Sequence, residues 1–212
     1  MVAPKMRWTR EFSVMSIVER IVENLLGEVG EGMRTPWGKA DSIEQIAPGI
    51  VFVGTSTHGG YKLEPSMNQK VNSVWRKQGG WYEEDVDYNI VHLTFPNIFD
   101  SSKVDSAKKA LKHYYPDEYE KVTGESVKPE DSHVLRQRAF YKQHANDWIS
   151  YAAWGDWHDK VPKGMVGVVA KKGGREGSGP EKYFLVPEKD YATRGENFVV
   201  DPSRHKEFNG EF

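Results

Sequence analysis

The chain contains no cysteine. That excludes a disulfide scaffold, a thiol nucleophile and a thiolate zinc site, and it fits a reducing compartment. Long apolar runs are missing too. No stretch approaches the ~20 apolar residues of a bilayer span, and the opening MVAPKMRWTREF has no apolar core of the kind a secretory signal needs. The sequence therefore reads as soluble and cytoplasmic, with no membrane partner. Charge of one sign is also lacking, because 29 Lys and Arg stand against 31 Asp and Glu for a net −2. A protein holding nucleic acid by its overall field would be clearly basic, so direct nucleic-acid binding is disfavoured. There is no GxxxxGK[ST], HExxH, GxSxG or dinucleotide fingerprint.

What is present is aromatic. Seven Trp, ten Tyr and nine Phe in 212 residues supply enough large side chains for a stable core. Val14, Ile17, Val18, Ile21, Val22, Leu25, Leu26 and Val29 recur at helical spacing, which predicts an amphipathic N-terminal helix within residues 1–33. Its stripe would dock on its own domain or form a homo-oligomer. Residues 31–48 mix Gly, Pro and charge and read as a linker. Ile50–Thr55 reads as a strand, residues 57–60 as a tight turn, and Tyr61–Leu63 as the returning strand. Pro65–Gln78 is expected to be helical, and Trp81–Phe95 leans the same way although Tyr88–Phe95 would also suit a strand. Helices are expected from Val104 to Tyr115, after Pro116, and from Pro129 to about Ala145. Trp148–Trp154, Met165–Ala170, Tyr183–Val186 and Phe198–Val200 read as strands, with KKGGREGSGPEK as a long hairpin loop and a helical turn near Lys189–Thr193. Helices and strands fall in blocks, which predicts an α+β fold with an antiparallel or mixed sheet of about five or six strands covered by helices. The expected organisation is a helix within 1–33, one α+β domain over 34–206 and a frayed tail at 207–212.

Three segments carry residue types suited to chemistry or contact. In Ser56-Thr57-His58-Gly59-Gly60, glycines permit positive φ or close approach, and His58 could serve as base, ligand or anchor, though a turn needs such glycines anyway. In Gly80-Trp81-Tyr82-Glu83-Glu84-Asp85-Val86-Asp87, clustered carboxylates repel one another unless a cation neutralises them. This suits acid–base work or a divalent ion, and equally a solvated acidic helix start. In Trp154-Gly155-Asp156-Trp157-His158-Asp159, Asp156 and His158 could lie on one side of a strand, and Trp154 and Trp157 could anchor a partner or cap a core. With His58 this segment could complete a two-histidine carboxylate metal site only if the two come together in space. Gly173-Gly174-Arg175 and Gly177-Ser178-Gly179 lack the following helix that would aim N–H groups at a phosphate. Arg136 and Arg138 would flank one helical turn, exposed or neutralising the acidic segment.

Thr35-Pro36-Trp37-Gly38, IVFVGTSTHGGYKL (50–63), GWYEEDVD (80–87), LRQRAF (135–140), AWGDWH (153–158), Phe184-Leu185-Val186-Pro187 and Val200-Asp201-Pro202 with Arg204-His205 resemble an uncharacterised domain family. It is carried by tailed phages, plasmids and other mobile elements, and the resemblance spans roughly 34–206. It implies context rather than catalysis, since accessory genes of this kind often counter restriction or CRISPR defences. The leading expectation is an accessory protein in the host cytoplasm that inhibits a host protein or nucleoprotein effector by direct contact. The contact residues would be Trp81, Tyr82, Glu83, Glu84, Asp85, Asp87, Trp154, Asp156 and Trp157. It needs no cofactor or metal. The rival expectation is a hydrolase or transferase acting on a nucleotide or nucleic acid. His58 or His158 would be the base, with Glu83, Glu84 or Asp85 holding a divalent cation. A nucleic-acid-binding role for the Lys171-Lys172 loop is the third reading.

Overall fold

A computed structural model describes residues 32–212; the amphipathic helix expected within 1–33 lies outside the described residues but for its last two positions. The fold is α+β, with ten strands among the described residues in two five-stranded antiparallel sheets. Contacts group the chain into two units that divide after His133, a boundary inside the span expected to be one domain.

The first unit contains β1 (Arg34–Thr35), β2 (Gly38–Ala47), β3 (Ile50–Thr55), β4 (Gly59–Leu63) and β5 (Trp81–Glu83), which pair in chain order. Its helices are α1 (Pro65–Asn68), α2 (Tyr88–Thr94), α3 (Ser101–Tyr114) and α4 (Pro116–Thr123). The β-branched run IVFVGT is central in this sheet, with Ile50, Val51 and Val53 buried. The segment expected to be a linker is mostly strand β2. Bulges between Ala40 and Ser42 and between Gln45 and Ala47 interrupt its alternation, which hides the period of two that identifies a strand. The cross-strand partners Glu44, Phe52, Tyr61 and Tyr82 share one face, because directly paired residues point the same way. On the other face Ala40, Val51 and Val53 form a core with Met33, Ile43 and Trp81.

The expected helix over Pro65–Gln78 stops after one turn at Asn68. Beyond it, Arg76 Nε and Nη2 donate to the carbonyls of Val71 and Gln69 at 2.8 and 2.9 Å. The guanidinium thus supplies to the backbone what further helical turns would have supplied. The segment Trp81–Phe95, expected to be helical, is a strand to Glu83 and a helix only from Tyr88. Val104, Ala107 and Leu111 bury the predicted stripe of α3. Pro116 opens α4, and Gly124, at φ 75°, closes it in the left-handed conformation.

The second unit carries α5 (His133–Gln143, from Val134 onward), β6 (Trp148–Trp154), β7 (Met165–Lys172), β8 (Lys182–Pro187), α6 (Glu188–Tyr191), β9 (Phe198–Val200) and β10 (Lys206–Glu207). Its strand order is β10-β8-β7-β6-β9. Val166, Val168, Ala170, Phe184, Val186, Phe198 and Val200 make its core. Lys206 and Glu207 pair with Leu185 and Phe184, and the Phe212 ring stacks on Phe208 at 4.7 Å and lies 5.9 Å from Trp154. Gly167 leaves the space that ring fills, since a Cβ there would come within 2.8 Å of it.

No helix among the described residues is long and apolar enough to cross a membrane.

Candidate functional site

Two of the three segments singled out from sequence meet at the end of the β4–β5 pair. The turn carrying His58 is closed by Thr55, whose N–H and hydroxyl both donate to the His58 carbonyl at 2.7 Å. The glycines that follow serve close approach rather than positive φ. A Cβ on Gly60 would lie 2.3 Å from the Tyr82 carbonyl, and one on Gly59 would lie 2.7 Å from the Phe52 ring and 2.8 Å from Glu84 Oε2. Their bareness lets β5 come in tightly and brings its carboxylates beside His58.

There His58 Nδ1 stands 3.5 Å from Glu83 Oε1, with the imidazole half exposed and the carboxylate mostly covered. Glu83 Oε2 accepts from the Asp85 N–H at 2.8 Å, which fixes the carboxylate. Its Oε1 is buried without a hydrogen-bond partner among the described residues. His58, Glu83 and Glu84 each offer one donor atom, and these atoms lie within 4.8 Å of one another. One imidazole and two carboxylates form a donor set for a divalent cation such as Mg²⁺, Mn²⁺ or Zn²⁺.

The remaining acidic-segment residues have other positions. Asp87 pairs with Lys77 at 2.9 Å and accepts from the Tyr115 hydroxyl at 2.8 Å; burial first, then this bond, pushes the Tyr115 phenol up. The buried Tyr82 donates to Asn68 Oδ1 at 2.6 Å and accepts from the Lys77 N–H. Trp81 lies edge-on to Trp37 at 5.5 Å, with the Lys62 ammonium 5.0 Å from its ring. Among the side chains from Trp81 to Asp87 only Asp85 is exposed.

The third segment belongs to the second unit. Asp156 Oδ2 accepts from the Gly164 N–H at 3.1 Å and closes its own loop. His158 Nδ1 accepts from the Lys160 N–H at 3.3 Å, and Trp154 packs on Phe212. Trp157, at 77% exposure, stands out in solvent. Arg136 lies 3.9 Å from Glu196 within the same unit.

Sequence reasoning missed a second concave site in the first unit. Phe52, Tyr61, Tyr88, Asn89 and His92 line a cavity of about 510 Å³. The Tyr61 hydroxyl and His92 Nε2 are hydrogen-bonded at 3.0 Å. His92 is 4% exposed; burial first, then the Lys103 charge, pushes its imidazole down to about 4. Burial likewise pushes the Tyr61 phenol up to about 12. Both are therefore neutral at pH 7. A usable signal was Tyr88, Asn89 and His92 falling at helical spacing on the buried side of α2.

The His58–Glu83–Glu84 cluster and this cavity lie in an α+β domain of unknown function. Residues 30–145 match the family described as Domain of unknown function (DUF7007), and the chain belongs to that family. Comparison with curated proteins and with solved structures finds no match.

Proposed function

We propose that the first unit holds a divalent cation on His58, Glu83 and Glu84 and acts as a hydrolase or transferase on the phosphate of a nucleotide or nucleic acid. The observation that carries this reading is the convergence of three donor atoms within 4.8 Å, one from the turn before β4 and two from the end of β5 and the residue after it. The cation would neutralise charge on a phosphoryl oxygen. Asp85 orients Glu83 through its N–H, and the buried Glu83 Oε1 is the acceptor that a cation would satisfy. His158 is tied to its own loop and takes no part. Mn²⁺-supplemented protein should cleave a phosphomonoester or phosphodiester substrate catalytically. Glu84→Gln should lower that rate by at least about a hundredfold, while His158→Ala leaves it unchanged. Equal loss in both variants, or no turnover with any phosphate ester, would rule the reading out.

A second reading is favoured by Trp157, whose exposed indole is a ready anchor for a partner protein. It makes the chain a phage or mobile-element accessory protein in the host cytoplasm that inhibits a restriction or CRISPR component by stable contact. Asp85, exposed beside the cation site, would meet a basic groove. On a sizing column with purified effector complexes, Trp157→Ala should abolish co-elution. Co-elution that survives both Trp157→Ala and Asp85→Lys would dismiss this reading.

A further inference from the structure

The cavity beside α2 has a composition that neither reading of the cation site uses. Its wall is aromatic, with Phe52 5.4 Å from Tyr61 at a steep angle and Tyr88 stacked at 6.4 Å on the same Tyr61 ring. Set into that wall is the Tyr61–His92 hydrogen bond. A Phe and a Leu would fill the same space without removing two polar groups from water. The same cavity is lined by Lys103 from the first turn of α3, with Ser102 and Ser106. Lys103 has no ion-pair partner among the described residues. Glu44 lines the same cavity.

We propose that this cavity binds a mononucleotide: a planar heteroaromatic ring against Tyr61 and Tyr88, its polar edge on His92, and its single phosphate on Lys103, Ser102 and Ser106. Size and charge narrow the class. A space of about 510 Å³ takes a molecule of mononucleotide dimensions rather than a strand of nucleic acid. A single lysine suits one phosphate better than three, and Glu44 in the same cavity further disfavours a more highly charged anion. Flat rings accept any base face, while a neutral imidazole bonded to a phenol offers a directional contact to a ring nitrogen or carbonyl.

The proposal stands apart from the cation site, although the Phe52 ring borders both. Titration calorimetry in EDTA separates them. Wild-type protein and His58→Ala should bind a 5′-mononucleotide alike, with the matching nucleoside weaker, the triphosphate weaker and inorganic phosphate weaker still. Lys103→Ala, an exposed position, should weaken the mononucleotide about tenfold or more while sparing the nucleoside. Tyr61→Phe keeps the ring and should weaken both. No binding of any of the four common 5′-mononucleotides at millimolar concentration would overturn the proposal. So would affinity unchanged in both Lys103→Ala and Tyr61→Phe, or phosphate alone binding as tightly as the nucleotide.

Discussion

Buried imidazoles couple this protein's stability to pH. His92 in the first unit and His205 in the second are both 4% exposed. Burial is the first cause in each, and both pKa values fall below the ordinary 6.5, that of His92 to about 4. The His205 Nδ1 is committed, accepting from the Asp201 N–H at 3.0 Å, so protonation there also breaks a bond. Below 6.5 the unfolded chain takes up protons that the folded chain refuses. Stability is therefore full above that value and is lost as pH falls toward 4. For His92 the loss between pH 7 and 5 should be about 2 kcal/mol, less where solvent reaches the cavity side. Urea midpoints at the two pH values give the check. The difference between them should shrink in His92→Gln, and a variant as acid-sensitive as the wild type would contradict the account.

At the scale of elements, the second unit is completed by its last seven residues. The Phe212 ring is held between Phe208, Trp154 and Tyr183 and occupies the space left by Gly167. Two substitutions should therefore have the same effect from opposite directions. Phe212→Ala leaves a gap, and Gly167→Ala puts a methyl where the ring lies; each should lower unfolding free energy by about 1–3 kcal/mol. Denaturant melts read this, and Phe212→Ala without effect would mean the tail is not docked. The tail was illegible in sequence because KEFNGEF has too few apolar residues for any period, and its partners lie far away in the chain. Strand β2 was illegible for a different reason, its alternation broken by two bulges. By contrast β3, α3, β6, β7, β8 and β9 were readable, since each is either a dense β-branched or aromatic run or a regular helical stripe.

Across the whole molecule, the α+β class followed from the block order of elements, but the division into two sheets did not. Nothing local marks a boundary inside the 129–145 region, where a 3₁₀ turn at Pro129–Asp131 leads straight into α5. Of the candidate site, the residue types in the His58 turn and the acidic segment were legible. The selection among them was not, because it depends on strand pairing. Register puts Glu83 opposite Gly60, and that pairing brings Glu83 and Glu84 to His58 while Asp87 turns away to Lys77. His92 was hidden inside an apolar run, where a histidine reads as core. The central claim is that His58, Glu83 and Glu84 together bind one divalent cation, and titration of the full chain with MnCl₂, followed by electron paramagnetic resonance of the free ion, tests it most directly. One Mn²⁺ should bind per chain, and Glu84→Gln and His58→Ala should each weaken that binding by at least about tenfold. No binding, or binding untouched by both substitutions, would contradict it.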